Sequence, residues 1–324
     1  MKKFFKILLY FIGVVIIIFI GVISYVVFFL PNVGKPENIT VEKTPQRVER
    51  GKYLANCVTV CMDCHSTRDW TKYAGPPIAG TEGKGGERFD QRYGFPGVFY
   101  SRNITPYKLS DWTDGEIFRT ITTGVDKNGD ALFPVMPYHY YGQLDKEDIY
   151  SIIAYVRSLP AIKNDAPKSK ADFPFTIIQH LIPQKANLQN RPAESDTIAY
   201  GKYMITASGC VECHTKDNKG QIIPGLEFGG GREFSLPAGI VRSANLTPDV
   251  NGLKAWTAEQ FIKRFKQYQD SSFHSPTLGE KDFNTIMPWM MYSKMKESDL
   301  NAIFKYLQTI KPISNKVEKF TAKS

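Results

Sequence analysis

The stretch VTVCMDCHST, residues 58–67, holds two cysteines and a histidine within five positions, and 149 residues further on ASGCVECHTK repeats the arrangement. On a helical turn, positions i, i+3 and i+4 share one face, so Cys61, Cys64 and His65 can all meet one flat object, as can Cys210, Cys213 and His214. Thiols at that spacing suit thioether links to the two vinyl groups of a haem, and the imidazole that follows then lies under the iron as its proximal ligand. Two covalent haems c are the expected cofactors. Rival chemistries use the same atoms less well. A zinc site built from two Cys-x-x-Cys pairs has them closer together and needs no neighbouring histidine. A thioredoxin-like dithiol explains neither the histidines nor the repetition. Cys57 to Cys64 also spells Cys-x3-Cys-x2-Cys, an iron–sulfur pattern suited to a reducing compartment, but the second copy lacks the first cysteine.

A haem with one histidine needs a sixth ligand or keeps an open site. Met136 and Met287 are the candidates, 71 residues after His65 and 73 after His214, each followed by proline. Proline disfavours the α conformation in the residue before it, so both methionines are expected in extended loops from which a thioether can point at iron. His139 is an alternative distal ligand in the first half, its counterpart in the second being Met290. His180 and His274 read as ordinary polar histidines, and Cys57, on the proximal side, as a spare thiol.

These residues sit in a tandem repeat. ERGKYLANCVTVCMDCH parallels AYGKYMITASGCVECH, PGVFYSRNITP parallels AGIVRSANLTP, and DWTDGEIFRTI parallels AWTAEQFIKRF. The last pair, MPYHYYGQLDKEDIYSIIAYVRSL and MPWMMYSKMKESDLNAIFKYLQTI, aligns without a gap. Ile149, Ile152, Ile153, Val156 and Leu159 match Leu300, Ile303, Phe304, Leu307 and Ile310, an apolar stripe of helical period, with Asp148 and Asp299 in the first turn. Each half therefore closes with an amphipathic helix. Each also opens with one, where Gly51 and Gly201 allow close helix approach and the rings of Tyr53 and Tyr203 fill neighbouring space. Thr113 and Thr257 are expected helix caps. Nothing alternates with period two over a useful length, so the fold class is mainly α with long loops.

Asn38, Asn103 and Asn245 match a glycosylation sequon, but two recur as Asn-x-Thr-Pro, which a side-chain-capped turn explains. The glycines of GTEGKGGERF and EFGGGREF suit tight loops near a cofactor edge. Boundaries follow: a basic end and membrane anchor over 1–35, a first domain over 40–162, a linker over 163–194, a second domain over 195–314 and a weakly ordered tail over 315–324. The linker carries FPFTIIQHLI, apolar enough to pack on one or both domains.

From Ile7 to Leu30, 24 positions pass without a charge, a helix of ~36 Å against a hydrocarbon core of ~30 Å. No small-residue cleavage site follows, so an uncleaved anchor is expected. Lys2, Lys3 and Lys6 precede it and hold the amino end in the cytoplasm, sending the rest across. The net charge is +9, of which +6 lies beyond the anchor. No basic run with interleaved aromatics argues for nucleic acid.

These residues resemble the membrane-anchored dihaem c-type cytochromes, built of two class I cytochrome c domains in tandem. NITP and NLTP, DWTDGEIFRTITTGVDKNGDALFPVMPY and DIYSIIAYVRSLP are similar to the cytochrome c subunits of membrane-bound alcohol and sugar-acid dehydrogenases, which often carry three haems where this chain has two motifs. The resemblance implies two tandem cytochrome c domains behind a single transmembrane helix, on the periplasmic side of the inner membrane. It implies electron transfer with irons held by His65 and Met136 and by His214 and Met287. Redox partners would be a dehydrogenase or quinol-oxidising complex on one side and a cytochrome or terminal oxidase on the other, with no catalytic residue in the chain itself. A dihaem enzyme of the peroxidase or thiosulfate-oxidising type is the alternative, and it requires one open or unusually ligated iron.

Overall fold

The computed structural model describes residues 1–269 and 273–323. Helix α1 (Lys2–Phe29) comes first, long and apolar enough to cross a bilayer, with none of its most apolar stretch covered by the rest of the chain. Two halves of matching order follow. The first contains α2 (Pro45–Tyr53), α3 (Cys61–Cys64), α4 (Pro106–Leu109), α5 (Asp114–Thr123), α6 (Tyr138–Tyr141) and α7 (Lys146–Val156). After the single turn α8 (Phe175–Ile178), the second contains α9 (Thr197–Ala207), α10 (Cys210–Cys213), α11 (Ala258–Lys266), α12 (Trp289–Tyr292) and α13 (Glu297–Leu307).

Local chemistry starts these helices where the sequence places them. Thr113 and Thr257 each cap a helix and complete a capping box with Glu116 and Gln260, satisfying amides that have no partner inside the helix. The opening and closing helices of each half cross in close contact, because no side chain stands at the crossing. A Cβ on Gly51 would lie 1.8 Å from the Ser151 carbonyl oxygen, and one on Gly201 would lie 2.0 Å from that of Ala302. Gly201→Ala is expected to reach the upper end of the ~1–3 kcal/mol that overpacking costs, since the atom met is helix backbone. The fall should show in the denaturant midpoint, while Lys202→Ala on the exposed side stays within about 0.5 kcal/mol of the parent.

Between Gly51 and Cys61 the first half has one residue more than the second has between Gly201 and Cys210. A π-helical turn over Leu54–Val58 absorbs it, closed by a hydrogen bond of 2.8 Å from the Thr59 amide to the Leu54 carbonyl. Cys57 lies in that turn and is buried. Widening the helix by one residue keeps the motif beyond it on the same face as in the other half.

Helices form the frame, and among the described residues three small antiparallel sheets complete it, each too short to appear as a period-two alternation in the sequence. In the first half β1 (Arg88–Phe89) and β2 (Gly97–Tyr100) are joined by β3 (Lys170–Ala171), with Gly97 opposite Ala171. In the second β6 (Glu233–Leu236) and β7 (Gly239–Arg242) are joined by β8 (Phe320–Ala322), with Gly239 opposite Ala322. The third is a two-stranded ribbon of β4 (Asp217–Asn218) and β5 (Gln221–Ile222). Structural equivalence therefore runs beyond the closing helices. The expected linker supplies β3, and the expected weakly ordered tail supplies β8, except Ser324, which lies outside the described residues. Linker and tail each supply the third strand of a sheet in the half they follow.

The rings of Tyr53 and Tyr203 do more than fill space. Tyr53 donates across to Asp299 (2.5 Å) and accepts from the Lys296 amide (3.0 Å), while Tyr203 donates across to Asp148 (2.7 Å) and accepts from the Asp145 amide (3.1 Å). Each opening helix thus holds the amino end of the other half's closing helix. This is the reciprocity of a two-fold pair. One continuous apolar core, including Leu54, Ile149 and Ile153 with Met204, Leu300 and Leu307, runs through both halves.

Candidate functional site

The two Cys-x-x-Cys-His motifs have the same build. A left-handed residue, Val60 (φ 46°) or Gly209 (φ 61°), breaks the opening helix, and one helical turn then carries the two cysteines. The histidine follows at φ −91° and −93°. In the first half it leans on two loops. The His65 Nδ1 lies 2.6 Å from the Arg102 carbonyl, and the His65 carbonyl accepts from the Gly85 amide at 2.9 Å. In the second, His214 Nδ1 lies 2.8 Å from the Ala244 carbonyl, and the Gly230 amide donates to the His214 carbonyl at 2.8 Å.

The glycine loops earn their place here. Gly85 and Gly230 have positive φ, and a Cβ on either would lie 2.5 Å from the backbone of Arg102 or Ala244, the residues that face the imidazoles. The Asn-x-Thr turns stabilise the same strip of chain. Asn103 accepts from the Thr105 amide and donates to the Ile162 carbonyl, and Asn245 does the same with Thr247 and Ile313. Both asparagines are buried, which disposes of the sequon at these positions.

With Nδ1–H donated to a carbonyl, each imidazole keeps its lone pair on Nε2, the nitrogen then able to bind a metal, and the carbonyl fixes the tautomer and orientation. Burial lowers both histidine pKa values, so the rings are neutral at pH 7. The thiols shift the other way. Burial pushes Cys64 and Cys210 up to about 12 and also raises Cys61 and Cys213. A redox dithiol works through a depressed thiol pKa, so this environment opposes that reading. Among the described residues no three His, Cys, Asp or Glu side chains converge on one position.

The two methionine loops also match. Met136 accepts from the Tyr138 amide at 2.8 Å across Pro137 (φ −80°, ψ 55°). Met287 accepts from the Trp289 amide at 2.7 Å across Pro288 (φ −78°, ψ 62°). Both are inverse γ-turns, which proline pre-forms through its fixed φ. Each methionine is half-buried and packs on the core. Tyr141 and Tyr292, in the helical turns that follow, donate to the Thr59 and Ser208 carbonyls at 2.8 Å and so tie each methionine loop to the chain just before its own motif.

The position between the two cysteines differs. Asp63 pairs with Arg68 at 2.9 Å within its own half, and burial lifts its carboxyl to about 6 against the pull of Arg68. Glu212 reaches into the other half, accepting from Tyr140 (2.8 Å) and bonding His139 Nε2 (3.0 Å), with Arg232 beside it. Burial would raise Glu212 too, but these partners outweigh it and the net shift is downward. Sequence reasoning offered no role for Glu212, and only the fold brings it to His139.

Covalent attachment of haem by a helical Cys-x-x-Cys-His turn defines the c-type cytochromes, and residues 198–311 match the family model for cytochrome c. The matched residues lie in the second half. Among curated proteins, the chain is 27% identical over 286 residues to the cytochrome c subunit of gluconate 2-dehydrogenase from Pantoea cypripedii, covering 81% of this chain and 59% of that one. It is 26% identical over 283 residues to the cytochrome c subunit of alcohol dehydrogenase (quinone) from Gluconacetobacter polyoxogenes, covering 82% and 56%. It is also 25% identical over 169 residues to a diheme cytochrome c-type protein from Cereibacter sphaeroides, covering 49% and 54%. The chain thus spans somewhat more than half the length of these relatives.

Proposed function

We propose that the protein is an electron carrier with two covalently bound haems c, one in each half. Cys61 and Cys64 would hold the first haem by thioether bonds, with His65 and Met136 as axial ligands. Cys210, Cys213, His214 and Met287 would hold the second. The observation that carries this reading is the duplicated geometry: two helical Cys-x-x-Cys-His turns with Nδ1 on a carbonyl, and two inverse γ-turns presenting methionine. A bound haem supplies a one-electron couple at iron. The chain's share is to orient neutral imidazoles, to keep water from the buried thioether side, and to offer thioether sulfur, which favours a high potential.

Matched methionine turns leave no half prepared for an open iron, which opposes the peroxidase-like alternative. His139 is engaged by Glu212, so Met136 is the better distal ligand of the first haem. The domains, over 40–162 and 195–314, would stand on the periplasmic side of the inner membrane behind α1 as anchor. Electrons would pass from a membrane or periplasmic dehydrogenase, or a quinol-oxidising complex, to a downstream cytochrome or oxidase. The relatives' names support the first of these donors. The halves are also close: Tyr140 of the first donates to Glu212 of the second at 2.8 Å, next to Cys213.

Haem counting tests the proposal. The purified full chain is expected to carry two haems that survive denaturing electrophoresis, and Cys210→Ala with Cys213→Ala should leave one. A single haem in the parent chain would overturn it.

A further inference from the structure

The apolar segment between the halves packs on the first half and on the end of α1. Beyond β3 the chain passes through α8 and a 3-10 turn over Gln179–Leu181, which lie against the end of α1. His180 Nδ1 is 3.1 Å from the carbonyl oxygen of Leu30, the residue that caps the end of α1. The segment therefore sits at the level where the chain leaves α1. There it turns apolar side chains outward: Phe173 is 81% exposed, Leu181 56% and Ile178 37%. Exposed Lys168, Lys170 and Lys185 flank it.

We propose that residues 173–182 are a second membrane contact, inserted into the outer interfacial layer of the same bilayer that α1 spans. The occupant is lipid. Large apolar side chains at the exit of a spanning helix meet headgroups and the upper acyl chains, and flanking lysines suit anionic phosphates at that depth. The inference rests on α1 being a membrane anchor, and it goes beyond that reading by fixing how the first half stands on the membrane. The stalk after α1 is strapped to that half. Val41 N–H donates to Asp114 at 2.8 Å, Lys146 pairs with Glu37 at 2.8 Å, and Gly115 leaves room for the Glu37 carbonyl, which a Cβ would approach to 1.8 Å. Phe175 packs edge-on against Phe133 at 6.3 Å, and Phe133 stacks on Phe99 at 4.5 Å. Phe133 lies three residues before Met136. This aromatic bridge links the segment to the chain just before the methionine loop of the first half.

Nitroxide labels on the full, haem-loaded chain in nanodiscs with anionic lipid test this. Single cysteines would be placed in a Cys57→Ala background at Phe173, Leu181, Val15 in the middle of α1 and Asn251 on the exposed surface, each keeping the parent circular dichroism. Accessibility to oxygen and to a water-soluble nickel chelate is read by power saturation. Labels at 173 and 181 are expected to show an oxygen-to-nickel ratio several-fold above that at 251 and below that at 15. Water-like values at 173 and 181, with 15 deep in the bilayer, overturn the second contact and spare the anchor. Low accessibility to both probes at 173 and 181 means protein covers the segment and overturns it as well. A water-like value at 15 overturns the anchor and the proposal together.

Discussion

Met287→Ala is expected to halve the methionine-to-iron charge-transfer band of the oxidised protein and to move one of its two reduction potentials sharply negative. The size should be a sizeable part of the roughly 0.8 V over which axial ligands set haem potentials. Met287 packs on the core only in part, so the fold should survive, and unchanged far-ultraviolet circular dichroism is the control. Met136→Ala should act in the same way on the other haem. His139→Ala should leave the band whole, because the His139 Nε2 is engaged by Glu212. An undiminished band in Met287→Ala would remove that residue from the ligand set.

The second large effect is structural. Asp148 is 1% exposed, and its carboxylate accepts from Arg50 (2.8 and 2.9 Å), from Arg191 (2.9 Å) and, across the halves, from Tyr203 (2.7 Å). Asp148→Ala would strand the half-buried Arg50 guanidinium, and breaking such a pair costs about 3–5 kcal/mol. Asp299 receives the reciprocal tyrosine but none of the arginine donors named for Asp148, so Asp299→Ala should cost less, about 1–3 kcal/mol. Chemical denaturation of the pair of variants compares the two directly. Burial works to raise the Asp148 carboxyl, but the arginines and Tyr203 outweigh it, and its folded pKa is lowered. Its contribution is therefore fully present above the unfolded value of about 3.9 and is lost as pH falls through the lower folded value. The acid limb of the stability curve should be shallower in Asp148→Ala than in the parent.

Features that depend on neighbours in the chain were legible in the sequence. The motif turns, the threonine caps, the glycines at the helix crossings and the closing stripes each follow from spacing and local propensity. What escaped depends on distant partners. Gly97 meets Ala171 and Gly239 meets Ala322, so each third strand is fixed by a ladder whose other side lies more than seventy residues back. Strands of two to four residues also carry too few alternations to register as a pattern. The tyrosines were read as packing because their acceptors, 246 and 55 residues away, belong to the other half. The π-turn was visible only as one residue too many. Its consequence, an unchanged orientation of the motif, needs coordinates.

The reciprocal tyrosine–aspartate bonds have an evolutionary side. They join two copies of one unit as the protomers of a homodimer are joined, yet both copies lie on one chain, so each can mutate without its twin. The position between the paired cysteines shows the outcome: Asp63 turned inward to Arg68, and Glu212 turned outward to His139 and Tyr140. A symmetric scaffold has thereby given its two sites different local charge without relocating either of them. Duplication has left the two motif turns alike in backbone and different in the partners of the carboxylate beside them.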